Sequence, residues 1–210
     1  MRTSTVIKAL LAVTAVTPLL CHAESTFTNG AASPLTATAH LDFAITIPKF
    51  IFVRINSGTG NGSVGWATGG TIDQIAWAPT PAQLGTGPLA ATSGGDIAVG
   101  TSTAAVAGNS GNIIFGTTTT GTLNDTTGDS ISFATISVPT PAHLSTATTL
   151  AFPGLADAAT TNITLTAVGK IVQQDAKWTW SYSNAAVIPQ GTYGGVNTNN
   201  SRVTFTASEP

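Results

Sequence analysis

Residues 35–47 read Leu35-Thr36-Ala37-Thr38-Ala39-His40-Leu41-Asp42-Phe43-Ala44-Ile45-Thr46-Ile47. Leu35, Ala37, Ala39, Leu41, Phe43, Ile45 and Ile47 are apolar, and Thr36, Thr38, His40, Asp42 and Thr46 stand between them. Successive side chains of a strand point to opposite faces, so this alternation predicts a strand with one face to be covered. Pro48 has no ladder donor and interrupts the run, which resumes as the more fully apolar 50–55.

Working outward, further strands are predicted over 71–77, 95–100, 112–117, 130–138, 162–172, 177–183 and 202–207. Turn residues separate them: Ala78-Pro79-Thr80-Pro81, Gly94-Gly95, Asn109-Ser110-Gly111, Asn124-Asp125, Gly128-Asp129 and Gly194-Gly195. Outside the N-terminal segment no window carries an i, i+3, i+4, i+7 apolar stripe. About nine short strands with frequent turns predict an all-β, immunoglobulin-like sandwich. No period of repeat length points to a solenoid or propeller.

The composition agrees. The 210-residue chain is only 8% charged, yet 42% hydrophobic; an average globular protein is about 25% charged. Its polarity sits in Thr, Ser, Asn and Gly. Threonine is β-branched and suits a half-solvated pleat, whereas disorder calls for low hydrophobicity and high net charge.

At the N-terminus, Arg2 and Lys8 precede a largely apolar 9–20, and Cys21-His22-Ala23 offers small residues at a cleavage site. The pattern predicts a secretory signal peptide over 1–23, too short to span a bilayer, with cleavage after Ala23. Acylation of Cys21 is disfavoured by the bulky Leu20 before it. Residues 24–34 read as a flexible tail and 35–210 as the folded domain. Cleavage removes Arg2 and Lys8, so the net charge of −2 becomes −4. The remaining basic residues, Lys49, Arg54, Lys170, Lys177 and Arg202, are scattered singly, which argues against nucleic-acid binding. The chain's one cysteine leaves with the signal, so neither a disulfide nor a thiolate metal site is expected. No other segment is long and apolar enough for a membrane anchor.

Few residues could carry chemistry. His40 and Asp42 share a strand face, but it is the polar, threonine-lined face, and no G-x-S-x-G elbow supplies a nucleophile. His143 lies in a Pro-Ala-His loop far along the chain. Asn124-Asp125-Thr126-Thr127-Gly128-Asp129 is oxygen-rich but lacks the acidic spacing of a calcium loop, and Asx residues are good turn formers. Gly58, Gly60 and Gly62 precede no helix that could bind phosphate. Asn61, Asn124, Asn162 and Asn199 begin glycosylation sequons, a frequent chance match in so Asn/Thr/Ser-rich a chain. Trp178, Trp180 and Tyr182 project to one side, opposite Lys177, Thr179, Ser181 and Ser183, so the aromatic side is assigned to the core. The reading is therefore not an enzyme, with no catalytic residue, cofactor or metal site.

Two stretches carry a resemblance. Leu41-Asp42-Phe43-Ala44-Ile45-Thr46-Ile47-Pro48 with the following apolar run resembles the first strand of secreted Gram-negative fimbrial, pilin-like β-sandwich proteins. The end, from Trp178-Thr179-Trp180-Ser181-Tyr182 through Gly191-Thr192-Tyr193-Gly194-Gly195 to Arg202-Val203-Thr204-Phe205-Thr206-Ala207, is similar to their closing hairpin. It is similar also to a group of uncharacterised exported proteobacterial proteins. The resemblance implies an exported envelope or surface structural protein, located in the periplasm, at the cell surface or outside the cell. Its partners would be copies of itself or other envelope proteins. Leu35, Ala37, Ala39, Leu41, Phe43, Ile45 and Ile47 would form the assembly strand. The alternative is a binding module for a carbohydrate or another surface ligand, using Trp66 and Trp77 as exposed aromatics.

Overall fold

The structure, a computed structural model, describes residues 25–31, 33–56 and 72–210. The expected signal segment 1–23, Trp66, Asn61 and the 58–62 glycines lie outside the described residues. The chain divides into two units, Met1–Ile47 and Pro48–Pro210.

The described part of the first unit contains no strand. Phe43 and Ile45 are each 86% exposed, Ile47 75%, Leu41 64% and Leu35 53%. The covered strand expected over 35–47 is therefore not formed within this chain. The alternation is there, but no edge of the unit pairs with it.

The second unit is all-β. Its strands are β1 (Ile51–Ile55), β2 (Leu89–Ala90), β3 (Thr101–Gly108), β4 (Ile113–Thr118), β5 (Leu123–Asn124), β6 (Ser130–Ile131), β7 (Ile136–Ser137), β8 (Thr160–Leu165), β9 (Val172–Thr179), β10 (Ser181–Tyr182) and β11 (Thr204–Ser208). All ladders between them are antiparallel. The two larger sheets are ordered β1-β3-β9 and β11-β4-β8, and a smaller one is ordered β2-β10-β7.

The longest strands are the least legible from sequence. β3 is Thr-Ser-Thr-Ala-Ala-Val-Ala-Gly, and Ser102 to Gly108 are all buried. Lying between β1 and β9 and covered on both faces, it has no polar face to alternate with. The expected strand at 95–100 is instead irregular and leads into β3. Of the strand expected at 71–77, residue 71 lies outside the described residues and 72–77 supply only a bridge from Ala76 to Ser93. The segment 162–172 breaks into β8 and β9 at a tight turn where Gly169 (φ 60°) and Lys170 (φ 69°) are both left-handed. Val168 and Ile171 exchange backbone bonds of 2.9 and 3.1 Å across it. This is the two-residue hairpin geometry that matches strand twist. The segment 130–138 is broken by a short 3-10 turn at Phe133–Thr135.

The core is built around Trp178, fully buried on β9. Its ring centroid lies 6.2 Å from Phe115 of β4, 5.8 Å from Phe205 of β11 and 5.2 Å from Phe152. Trp180 meets it edge-on at 6.2 Å. Tilted and edge-to-face contacts at these distances are favoured by the ring quadrupoles. Each indole N–H has an acceptor: Trp178 donates to Leu150 O at 3.1 Å and Trp180 to Ser102 Oγ at 2.7 Å. The assignment of Trp178, Trp180 and Tyr182 to the core holds. The threonines form cross-strand hydroxyl pairs, Thr117–Thr161 at 2.6 Å, Thr118–Thr160 at 2.8 Å and Thr101–Thr179 at 3.1 Å. Such pairs stabilise antiparallel neighbours by a few tenths to about 1 kcal/mol each.

Candidate functional site

Two strands of the second unit end their sheets next to each other. Among the described residues, β1 is hydrogen-bonded to β3 alone and β11 to β4 alone. They approach within 8 Å between Cα atoms but share no ladder. Just past the end of β1, the N–H of Asn56 bonds Thr103 O on β3. Alternate residues of a strand turn their backbone groups to opposite edges, so Ile51, Val53 and Ile55 turn theirs away from β3.

The inner faces of these two edges are incompletely covered. Val53 pairs with buried Val106 and Ile55 with buried Ala104, which puts Ile51, Val53 and Ile55 on the core side. Yet Ile51 and Val53 remain exposed. On β11, Phe205 stacks on Phe115 at 6.2 Å, and Val203, Phe205 and Ala207 pack against the core while only half-buried. The result is an apolar seam between two sheet edges. At one end it narrows to a shallow cleft of about 290 Å³ lined by Lys49, Phe50, Ile51, Ser208 and Glu209.

That end is pinned by polar contacts. Lys49 is ion-paired with Glu209, and the Ser110 hydroxyl donates to the same carboxylate. The lysine and the serine hydroxyl hold the Glu209 carboxyl below its usual range. The Asn109 side chain bridges two backbone groups just before β1, donating to Pro48 O at 2.8 Å and accepting from Phe50 N–H at 2.9 Å.

The other candidate residues are dispersed. Trp77, expected as an exposed aromatic, is half-buried against the core. It lies 6.3 Å from Tyr182, and its indole N–H donates to Leu89 O at 3.2 Å. Its expected exposure is therefore corrected to partial burial, with Ile75 likewise packed against the core. His40 and Asp42 are exposed in a stretch without strand structure, and His143 is exposed in the second unit.

The 124–129 loop is an Asx nest. Asp125 Oδ1 accepts from the N–H groups of Thr127 (2.9 Å), Gly128 (2.8 Å) and Asp129 (2.9 Å), and Oδ2 accepts from the Thr127 hydroxyl. The Thr127 hydroxyl foremost, with those N–H groups, holds the Asp125 carboxyl below its ordinary value. Its lone pairs are spent on the loop's own turn.

Sequence reasoning missed Asp175. It is fully buried on β9 and clamps a distant loop. Its carboxylate accepts from Ser145 N–H (3.0 Å), Thr146 N–H (2.9 Å), the Thr146 hydroxyl (2.8 Å) and the Ser145 hydroxyl. Nothing in Gln173-Gln174-Asp175-Ala176 signals this, because the donors lie about thirty residues away.

Among the described residues no group of three or more His, Cys, Asp or Glu side chains is placed to hold a metal ion. No described helix is long and apolar enough to cross a membrane. Comparison with family models, with curated proteins and with solved structures returned no match.

Proposed function

We propose that this chain is an exported envelope structural protein that assembles with copies of itself, its 35–47 run lying along the β1–β11 seam of a neighbour. One observation carries the reading. A single chain holds both an alternating apolar run with Phe43, Ile45 and Ile47 exposed and two adjacent sheet edges whose inner faces are half-covered.

An extended segment added to a sheet edge gains main-chain hydrogen bonds, and its alternate side chains fill the pockets beneath. Burying a large apolar side chain adds about 1.5–3 kcal/mol. An exposed apolar edge otherwise invites uncontrolled association. Donation from one chain to the next is a head-to-tail contact, which extends into a filament instead of closing.

The same reading brings in the finer features that the sequence suggests. The β1-β3-β9 and β11-β4-β8 sheets are taken as the two layers of a pilin-like sandwich, supported by Phe115 and Phe205 packing on Trp178. The signal peptide over 1–23 takes the chain to the periplasm, the cell surface or beyond. Low charge, at 8% of residues, weakens the repulsion between neighbouring subunits.

The test is sedimentation of the chain beginning at Glu24 over a wide concentration range. Growing head-to-tail oligomers are expected. Ile45→Asp should abolish them, and excess peptide of residues 35–47 should cap them. A protein that stays monomeric at the highest concentrations and does not bind the peptide contradicts the proposal.

A further inference from the structure

The two larger sheets end in four strands, β1 and β9 in one, β11 and β8 in the other. An exposed strand edge presents unpaired N–H and C=O groups, and proteins guard such edges with charges, prolines or covering segments. Three of the four are guarded. β1 carries Arg54 and follows Pro48-Lys49, and β11 is flanked by Arg202 and Glu209-Pro210. The outer edge of β9 is covered. Lys177 and Ala142 exchange backbone bonds of 2.9 Å there, and the Leu150 N–H donates to Asp175 O at 3.0 Å.

β8 has no such guard. It reads Thr160-Thr161-Asn162-Ile163-Thr164-Leu165, without a charge, a proline or a glycine. Just beyond the β4–β8 ladder the Thr119 N–H donates to Ala159 O at 3.1 Å. Bonded and non-bonded pairs alternate along an antiparallel ladder, so Thr161, Ile163 and Leu165 turn their backbone groups to β4. Thr160, Asn162 and Thr164 turn theirs outward, and all three residues are exposed. Among the described residues nothing bonds their outward N–H and C=O groups. The Asn162 side chain leans the other way, over Gly116 of β4, where a Cβ would collide with its Oδ1. Glycine at 116 lets the amide lie back on the sheet and leaves the edge clear.

The partner this edge fits is its own copy. Antiparallel pairing about a two-fold axis at Asn162 sets Thr160 opposite Thr164 and Asn162 opposite Asn162. Each such pair exchanges two bonds, so every outward N–H and C=O is used, whereas sliding the partner by two residues leaves an end residue unpaired. A two-fold contact sets a patch against its own copy, so a charge near the axis would meet its like; β8 carries none. On the inner face Ile163 is only half-buried, and the partner's Thr161 would lie beside it.

We propose that β8 is a dimerisation edge, at which two copies of this chain pair β8 to β8 about Asn162 and join their β11-β4-β8 sheets into one continuous sheet. The contact is independent of the donated-strand reading. It closes on itself, whereas a donated run propagates. Together they would tie filaments side by side.

The test uses the chain beginning at Glu24 and carrying Ile45→Asp, the change that removes head-to-tail growth. Sedimentation should show a concentration-dependent dimer. Adding Asn162→Lys sets two like charges across the axis and should raise the dimer's dissociation constant at least about tenfold. Cross-linking reads the register, because the chain from Glu24 contains no cysteine. Bonded pairs of an antiparallel ladder stand about 5.5 Å apart at Cα, within the span of a disulfide. Under mild oxidation Asn162→Cys should therefore cross-link to itself. Thr160→Cys and Thr164→Cys should each fail alone and cross-link when mixed. If Asn162→Lys does not fold, the cysteine series decides.

The proposal is overturned if the Ile45→Asp chain sediments as a monomer at the highest concentrations. It is overturned equally if Asn162→Cys cross-links no faster than Thr160→Cys alone. A native chain that forms the closed dimer and nothing larger overturns the donated-strand reading and upholds this one.

Discussion

Residues 178–182 and residues 41–47 carry the same pattern and meet opposite fates. Trp178, Trp180 and Tyr182 alternate with polar residues and are 0%, 7% and 9% exposed. Phe43, Ile45 and Ile47 alternate in the same way and are 86%, 86% and 75% exposed. Both segments announce a face to be covered. Residues 178–182 have partners in the same chain: β3 pairs alongside β9, and Phe115, Phe152 and Phe205 lie against the rings. Residues 41–47 enter no ladder among the described residues. Period-2 alternation therefore specifies that a face will be buried, not which molecule buries it.

The sharpest way to break this comparison is at Trp178. It touches four other aromatic rings and its N–H is satisfied. Trp178→Ala should cost about 3–5 kcal/mol, the range for a large core aromatic. Chemical denaturation of the monomer measures it. The matched change on the other segment, Phe43→Ala, should leave monomer stability within about 0.5 kcal/mol. Equal losses would mean that the 41–47 face is covered within the chain after all.

Asp175 comes next. Asp175→Ala leaves the Ser145 and Thr146 N–H groups without their acceptor. A buried donor deprived of its partner costs about 1–3 kcal/mol, so a loss of about 3 kcal/mol is expected for the cluster. Proteolysis within the 143–149 loop should rise in parallel. A loss under about 1 kcal/mol would show that the loop is held by other contacts.

Phe205 sharpens the comparison because it belongs to both worlds. It stacks on Phe115 yet is only half-buried at the seam. The sequence predicts Val203, Phe205 and Ala207 as a buried face, and the alternation is correct. Their burial is partial because β11 ends its sheet. In the monomer Phe205→Ala should cost about 1.5–2.5 kcal/mol, roughly half of the full core value. In assembled protein the loss should approach that full value, since a neighbour's run would complete the burial. An identical cost in both states would place the docking surface elsewhere.

How much could be read in advance follows from which residues needed only local pattern. β1, β4 and β11 fall within a residue or two of the runs predicted at 50–55, 112–117 and 202–207, β11 by its clean alternation and the other two by their apolar content between turn residues. β3 was hidden because a strand buried on both faces by small residues has no periodicity to detect. Trp77 looked available because exposure depends on neighbours that sequence order does not reveal, here Leu89 and Tyr182. The seam was hidden for a topological reason. That β1 and β11 both end their sheets, side by side, follows from strand order and not from either strand's residues. Asn109-Ser110-Gly111 read as a turn, which it is; that the Asn109 side chain faces back onto Pro48 and Phe50 had no signature in its own segment.

The smallest expected effect concerns the pinned end of the seam. Two strand spacings amount to about 9.6 Å, and β1 and β11 come closer than that, within 8 Å. A strand laid fully between them must part the edges at the Lys49–Glu209 end. The Glu209 carboxyl is held below its usual range by Lys49 first and by Ser110. A carboxyl depressed in the folded state contributes stability that is present above its unfolded pKa and is lost as pH falls through the folded one. Comparison of the native chain with Glu209→Gln isolates that contribution from Asp125, whose carboxyl is lowered too. The native chain should be slightly the more stable at neutral pH, and the difference should vanish on acidification past the Glu209 titration. Because the pair is largely solvent-exposed, added salt should shrink it as well. If the ion pair restrains the seam, Glu209→Gln should assemble faster at neutral pH, and native protein should match its rate in acid. A variant that assembles more slowly at every pH would show that the pair belongs to the docked state and not to the closed one.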